Sequence, residues 1–394
     1  MTEYRFLEPL DVLFLRGNKL FGDPGSFGES LVPPWPSVAA GALRSRILAD
    51  AGVNLKDFAE GRVNHPQLGT PSQPGSFTVT GFYLARHKNG QYERLMPLPA
   101  DVVVSETAAQ TLEVRYAMPA NLAQKGLSSS APLPLLPVLA EPTRSKAASG
   151  YWLSGSGWAQ YCAGQPITPE TGLIHISKLW SLDARVGVGL ESSTRSVAEG
   201  RLFSMQAVAL KKREHAGSDG YDTGFLLSVE GADVPGDGLL RLGGDGRAVS
   251  LHTVHGMTAF PLHHQAVLIE HRCRLVLTTP GLFTAKGQGW LPDGIRRDEA
   301  GTYRFDRHGV TARLVAAAIP RAEVISGWDL ARWQPKPARK AVPTGSVYWL
   351  DELTATEQSL NTLVNNGIWP EPHVSDSRKA EGYNRLMLTP WQGD

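Results

Sequence analysis

Residues 185–204, RVGVGLESSTRSVAEGRLFS, set the hydroxyl run Ser192, Ser193 and Thr194 between Arg185 and Arg195. Hydroxyls, backbone N–H groups and guanidinium groups in one loop can bind phosphate oxygens, the contact that fixes a nucleic-acid backbone in place. An ordinary exposed turn uses the same residue types. Gly187 and Gly189 imitate the start of a dinucleotide-binding fingerprint, but Ser192 stands at the third glycine position. The preceding KLWSLDAR is also a poor buried strand, so a Rossmann site is not supported.

The loop LRLGGDGRAV, 240–249, places Gly243, Gly244 and Gly246 before Arg247. Glycines there permit close backbone approach to an anion, but a tight hairpin needs them as well, and the hairpin is the preferred reading. No GKS or GKT follows, so no P-loop is present. Segment 331–347 carries Arg332, Lys336, Arg339 and Lys340 with no acid, closing at Ser346 and Val347. It reads as a solvated connector or as a proline-stiffened arm that tracks a backbone. Arg16 and Lys19 beside the first loop, and Arg44 on the first helix, add to the cationic candidates.

His252, His255, His263, His264 and His271 make up five of the eleven histidines. Gly256 and Pro261 break any helix between them and HExxH is absent, so no metal site is expected. One imidazole near a ribose hydroxyl would suffice for metal-free RNA cleavage, so a histidine general base remains the enzymatic alternative. Surface and packing roles account for the rest.

These loops need elements to hold them. The segment 4–16 alternates around Leu10, Val12 and Phe14 and stops at Gly17, which predicts a first strand. After a glycine-rich loop, PPWPSVAAGALRSRILADAG predicts a helix ending at Gly52. Its small residues Ala39 to Ala42 suit close approach to a sheet. From about 60 to 260 the pattern is short strands punctuated by Gly and Pro. A second cycle is expected from a strand-like stretch at 265–283 and the loop KGQGW, with strands at VAAAIPRAEVISGW and VPTGSVYWL. A helix capped by Thr354 and Glu357 and stopped by Gly367 follows, then a last strand in GYNRLMLTPW. The expected class is α+β, in two domains of 1–260 and 261–394.

Length permits this, since 394 residues exceed one ordinary core. A hydrophobic fraction of 42% and a charged fraction of 20% mark an ordered globular chain. Net charge is +1, so no molecule-wide field draws in nucleic acid or anionic lipid, and any anion site is local. Cys162 and Cys273 stand far apart, which excludes a disulfide scaffold and fits a reducing cytoplasm. The N-terminus interrupts its apolar residues with Glu3, Glu8 and Asp11 and does not read as a signal peptide. The richest apolar stretch, PLPLLPVLA at 132–140, is far short of a membrane helix and reads as an extended or edge segment. No membrane partner and no cofactor is expected.

Several motifs, in order, resemble the third subunit of the Cmr-type (type III-B) CRISPR effector complex, a RAMP-superfamily protein. They are PLDVLFLRGNKLFG, PPWPSVAAGALRS, PLPAD at 97–101, GVGLESSTRSVAEGRLFS, LRLGGDGR, SGWDL with PKP, and VPTGSVYWL. The resemblance implies two ferredoxin-like (RRM-like) domains with β-rich insertions. It implies a non-catalytic subunit that grips the 5′ tag of the CRISPR guide RNA. Docking to the large palm-domain subunit and an adjacent RAMP backbone subunit is implied too, with target RNA met only indirectly. It maps the grip onto Arg16, Lys19, Ser193 to Arg195, the Gly243 to Arg247 loop and Arg339 to Ser346. The last strand departs from the family, with Asn384 where a second glycine is common, and the aromatic RNP1 pattern of RRMs is missing. The rival reading is a metal-independent CRISPR RNA-processing endoribonuclease.

Overall fold

The segment EYRFLEP forms strand β1, Glu3–Pro9, and ends at proline, which has no N–H to carry the ladder further. The expected first strand therefore divides: the Leu10 N–H still reaches Ala248 O at 3.3 Å, and further on Leu13 instead exchanges backbone hydrogen bonds with Val208 at 2.9 and 2.8 Å. The structure is a computed structural model. It describes residues 2–17, 27–107, 109–141, 145–191, 193–213, 220–257, 260, 262–284, 289–329, 334–370 and 377–391. Lys19, Ser192 and Arg332, and the loop residues 286–288, lie outside the described residues.

The protein is a mixed α/β chain with many antiparallel sheets and few helices. It forms two compact units: residues 1–92, 176–257 and 324–339 in the first, and 93–175, 258–323 and 340–394 in the second. The chain passes from one unit to the other after residues 92, 175, 257, 323 and 339.

In the first unit β1 is followed by helix α1, Pro36–Asp50, and strand β2, Thr78–Lys88. A long hairpin comes next, β3, Trp180–Leu190, with β4, Val197–Leu210. Then come β5, Asp222–Glu230, β6, Gly238–Arg241, and β7, Ala248–Thr253. The central strands lie in the order β7, β1, β5, β2, all neighbours antiparallel, with Phe6 opposite both Leu226 and His252. In chain order that is fourth, first, third, second. Helix α1 packs on β2 and β6 and buries Ala39, Ala40, Leu43, Ile47 and Leu48. Gly52, with φ of 66°, follows its C-terminus as expected.

The second unit contains helix α2, Gly155–Cys162, capped by the Ser154 hydroxyl, which accepts from the Gly157 N–H. Its large sheet is built from β8, Cys273–Leu277, β9, Tyr303–Arg307, and β10, Val310–Ala318, with β11, Val347–Thr354, and β12, Leu386–Pro390. The order β10, β11, β8, β12 repeats the first unit's arrangement, again with antiparallel neighbours. Helix α3, Glu357–Asn366, packs on β10 and β12, burying Leu360 and Leu363. Its capping box joins Thr356 and Ser359, two residues beyond the pair expected from sequence. The stretch 265–283, expected as one strand, is a short helix, His264–Glu270, then β8. PLPLLPVLA does hold an edge strand, Leu136–Leu139, paired with Leu112–Ala120.

Candidate nucleic-acid interface

The opening motif lies at the far end of the β3–β4 hairpin, whose register runs from Trp180 opposite Leu210 to Leu190 opposite Val197. Gly187 sits inside β3 opposite Phe203, and a Cβ there would meet the Phe203 ring at 2.5 Å, so the glycine makes room for an aromatic ring. A glycine pair within a hairpin strand, without a strand–turn–helix, is not a dinucleotide site. The tip closes with the Arg195 N–H donating to Glu191 O at 2.8 Å and the Glu191 N–H donating to Ser196 O at 2.9 Å. Ser193, Thr194 and Arg195 are all exposed, and the Thr194 and Ser196 hydroxyls pair at 2.7 Å. Arg195 holds φ of 54°, a left-handed conformation that L residues with a Cβ seldom adopt.

Lower on the hairpin, Arg185 pairs with Asp183 at 2.9 Å. One hairpin face is aliphatic and open to solvent: Val186 (72% exposed), Val188, Leu190, Val197 (62% exposed) and Leu202. The registered pairs Val188 with Leu202 and Leu190 with Val197 place them side by side. Phe27–Gly28 adds a short parallel strand beside Ser204 and Met205. The Ser30 hydroxyl donates to Gln206 O at 2.6 Å, and Ser30 bridges to Arg16. Arg16 bridges to Ser30, Ser30 bonds to Gln206, and Gln206 pairs with Ala184, so one chain of contacts runs from Arg16 to β3.

The glycine loop 242–247 is the turn of the β6–β7 hairpin, closed by the Leu242 N–H donating to Arg247 O at 3.0 Å. It also docks on residues 11–16, which follow β1. The Gly244 N–H donates to Phe14 O at 2.8 Å, and Gly243, φ of 82°, approaches that carbonyl so closely that a Cβ would stand 2.7 Å away. Arg247 pairs with Asp11 at 2.6 Å and lies 5.2 Å from the Phe14 ring centroid. Arg16 faces Asp245 at 3.6 Å; burial draws its pKa down while Asp245 raises it. Isolated bridges, loop hydrogen bonds and ion pairs thus link Arg16, Gly243, Gly244 and Arg247 to the hairpin that carries Arg185 and, at its far end, the tip.

Other sequence candidates fall elsewhere. Arg44 on α1 sets its guanidinium 5.2 Å over the Phe77 ring. Arg339 and Lys340 are exposed where the chain passes between units. Ser346 has no exposed surface, and its hydroxyl donates to Pro343 O at 2.8 Å, closing a turn. Asn384 is fully buried at φ of 60°; its Oδ1 accepts from the Leu282 N–H at 2.5 Å and its Nδ2 donates to Ile368 O at 2.6 Å. It fastens the core of the second unit. Among the described residues no group of three or more His, Cys, Asp or Glu could hold a metal ion.

Sequence reasoning passed over Lys212 and Arg213, directly after β4, although Lys211-Lys212-Arg213 is a run of three cations. With Glu8 and Asp222 they line an open cleft of about 460 Å³ at one end of the first unit's sheet.

Mixed α/β architecture in two antiparallel units, one carrying a long cation- and hydroxyl-tipped hairpin, defines the structural class. The chain belongs to the CRISPR-associated protein (Cas_Cmr3) family, whose profile matches residues 5–391. It is thus a Cmr-type protein of the type III-B CRISPR system. Two solved chains are similar along nearly all their length. One comes from the cryo-EM structure of the type III-B Cmr-beta complex bound to cognate target RNA and AMPPnP, with 15% identity, 98% of this chain and 96% of that chain covered, and a TM-score of 0.46. The other comes from the same complex bound to cognate target RNA, with 16% identity, the same coverage and a TM-score of 0.47. A search of curated proteins finds no match. No described helix is long and apolar enough to cross a membrane.

Proposed function

We propose that the chain is a non-catalytic, cytoplasmic subunit of a type III-B effector that grips the 5′ tag of the guide RNA. The observation that carries this reading is the chain of contacts in the first unit that links Arg16 and the Gly243–Arg247 loop to the hairpin bearing the exposed Ser193–Arg195 tip. Ion pairs with Asp11, Asp183 and Asp245 hold three guanidinium groups near the surface. Such exposed pairs are weak, so phosphates can displace the carboxylates. Arg195 in a left-handed conformation is the kind of local strain that collects at binding sites. Ser346 and Asn384 are not part of this interface, because neither has exposed surface.

Both units are read as ferredoxin-like, on their shared strand order of fourth, first, third, second. Each has a helical crossover, led by α1 in the first unit and by α3 in the second. The exposed aliphatic hairpin face supports docking to neighbouring subunits, the large palm-domain subunit and an adjacent RAMP backbone subunit. Target RNA is then met through the guide.

The test is photocrosslinking from the 5′ tag in the assembled complex, with crosslinks expected in 185–204 and 242–247. A tag that crosslinks only to other subunits overturns the reading. Arg195→Gly separates folding from binding, since glycine relieves the backbone while removing the cation. It is expected to leave the fold intact and to flatten the salt dependence of guide binding by about 0.7 to 1 in log–log slope. Cleavage of repeat RNA by the purified chain in chelator, lost on substitution of His255 or His271, would establish the endoribonuclease alternative instead.

A further inference from the structure

The cleft at the Glu8 end of the first unit's sheet has no part in the grip described above. Glu8 stands on β1 and Asp222 on β5, while Lys212 and Arg213 follow β4. Lys212 Nζ lies 3.7 Å from Glu8 Oε1, and Arg213 pairs with Asp222 at 3.1 Å. Lys212 and Glu8 are about one-third exposed, and Arg213 is half exposed. Partly exposed pairs of this kind contribute little net stability, so an incoming anion can exchange for either carboxylate. Asp222 keeps a partner when that happens, because it also accepts from the Arg213 backbone N–H at 2.8 Å.

An aromatic pair borders the same charges. His87 stacks on Tyr92 with ring centroids 4.4 Å apart and planes 21° from parallel, and both rings are only half-buried. His87 on β2 stands directly opposite Asp222 on β5 in the strand register, so the rings and the charges share one locality. Phe6 lies beneath the two rings, 5.8 and 5.2 Å away and almost fully buried, so the platform has a fixed floor.

We propose that this cleft is a second RNA-contact site, which holds one nucleotide of a single-stranded segment. Lys212 and Arg213 take the phosphate. The base lies against the His87–Tyr92 pair, and Glu8 and Asp222 accept from an exocyclic amine or a ribose 2′-hydroxyl. Cations beside aromatic rings are how single-stranded nucleic acid is held without a fixed sequence. A cleft of about 460 Å³ is within the range of small-ligand sites. Two carboxylates among the cations disfavour an acidic peptide or an anionic lipid surface, which offer charge but no donor to pair with them.

The inference rests on the reading of the chain as an RNA-binding subunit, and its test separates the two. The full chain is titrated with a short fluorescent single-stranded RNA, a DNA of the same sequence, and phosphatidylserine vesicles. Lys212→Ala with Arg213→Ala is expected to weaken RNA binding about tenfold and to lower the log–log salt slope by about 1.4, as for two lost single-strand phosphate contacts. Tyr92→Leu is expected to weaken binding while leaving that slope unchanged. The DNA is expected to bind more weakly than the RNA, and a 4-thiouridine probe is expected to crosslink within 86–92. Unchanged affinity and slope in the Lys212 and Arg213 variant, alongside weakened binding in Arg195→Gly, overturns the cleft alone. Equal or tighter binding of the vesicles overturns it as well. Failure of the wild-type chain to bind any RNA overturns both readings.

Discussion

Arg274 donates to Asp101 at 2.9 Å with the two side chains only 7% and 2% exposed. The Tyr161 hydroxyl donates to both Asp101 oxygens, at 3.0 and 3.2 Å. The remaining N–H groups of Arg274 reach Tyr161 O at 3.0 Å and Pro390 O at 3.3 Å, and its guanidinium lies 4.2 Å from the Tyr161 ring centroid. One arginine thereby ties β8, β12, helix α2 and the PLPAD motif together inside the second unit. Burial pushes the Asp101 carboxyl up, against the pull of Arg274.

Removing one member leaves a buried charge alone. Asp101→Ala is expected to destabilise the second unit by about 3 to 5 kcal/mol, whereas Asp101→Leu combined with Arg274→Met recovers much of that loss. Urea unfolding followed by tryptophan fluorescence is the measurement. A single variant within 1 kcal/mol of wild type would mean that the pair carries no such strain when broken.

Gly243 and Phe14 define a second expectation. An added Cβ meets the Phe14 carbonyl at 2.7 Å and the backbone already holds φ of 82°, so Gly243→Ala must lift the loop from its dock. Hydrogen exchange at the Gly244 amide, now bonded to Phe14 O, should accelerate. Gly246→Ala is the control, since space around that residue is open. Equal acceleration in both variants would trace the effect to turn strain and not to the dock.

The reverse sign is expected at Gly41. It lies within α1, is exposed, and has nothing within 4 Å of where a Cβ would stand. Ala39 and Ala40 make the close approach that the sequence assigned to the whole Ala39–Ala42 run. Gly41→Ala should therefore stabilise the first unit by about 0.5 to 1 kcal/mol. Thermal unfolding with no gain would indicate that this face is covered in solution.

What could be read in advance followed local chemistry. Prolines and Gly52 bounded α1, and Gly367 ended α3, because caps and breakers act within a few residues. The triple glycine of 243–246 gave a hairpin, the reading its spacing favoured. The motif 185–204 did not disclose its hairpin, because valine and leucine alternating toward solvent look the same as a strand facing a core. QAVLIEH before β8 reads as strand in the sequence yet is helical, since a short apolar run carries no period that separates helix from strand. The cleft was invisible because Glu8, Lys212 and Asp222 meet only through strand pairing across more than 200 positions.

His87 supplies the pH expectation. Its Nε2 accepts from the Gly90 N–H at 3.0 Å, which requires that nitrogen to be unprotonated. Burial lowers its pKa below the ordinary 6.5, with Arg213 and His252 pushing the same way and Asp222 and Glu8 opposing. The unfolded chain therefore binds the extra proton first as pH falls. This residue's contribution to stability is complete above about 6.5 and is lost as pH drops from there through the lowered folded value. His87→Phe keeps a ring against Tyr92 but cannot be protonated, so wild type should lose stability relative to it between pH 7.5 and pH 5. Thermal unfolding of both proteins across that range reads the difference directly. A gap between the two melting curves that stays constant with pH would show that His87 carries its proton equally well in the folded and unfolded chains.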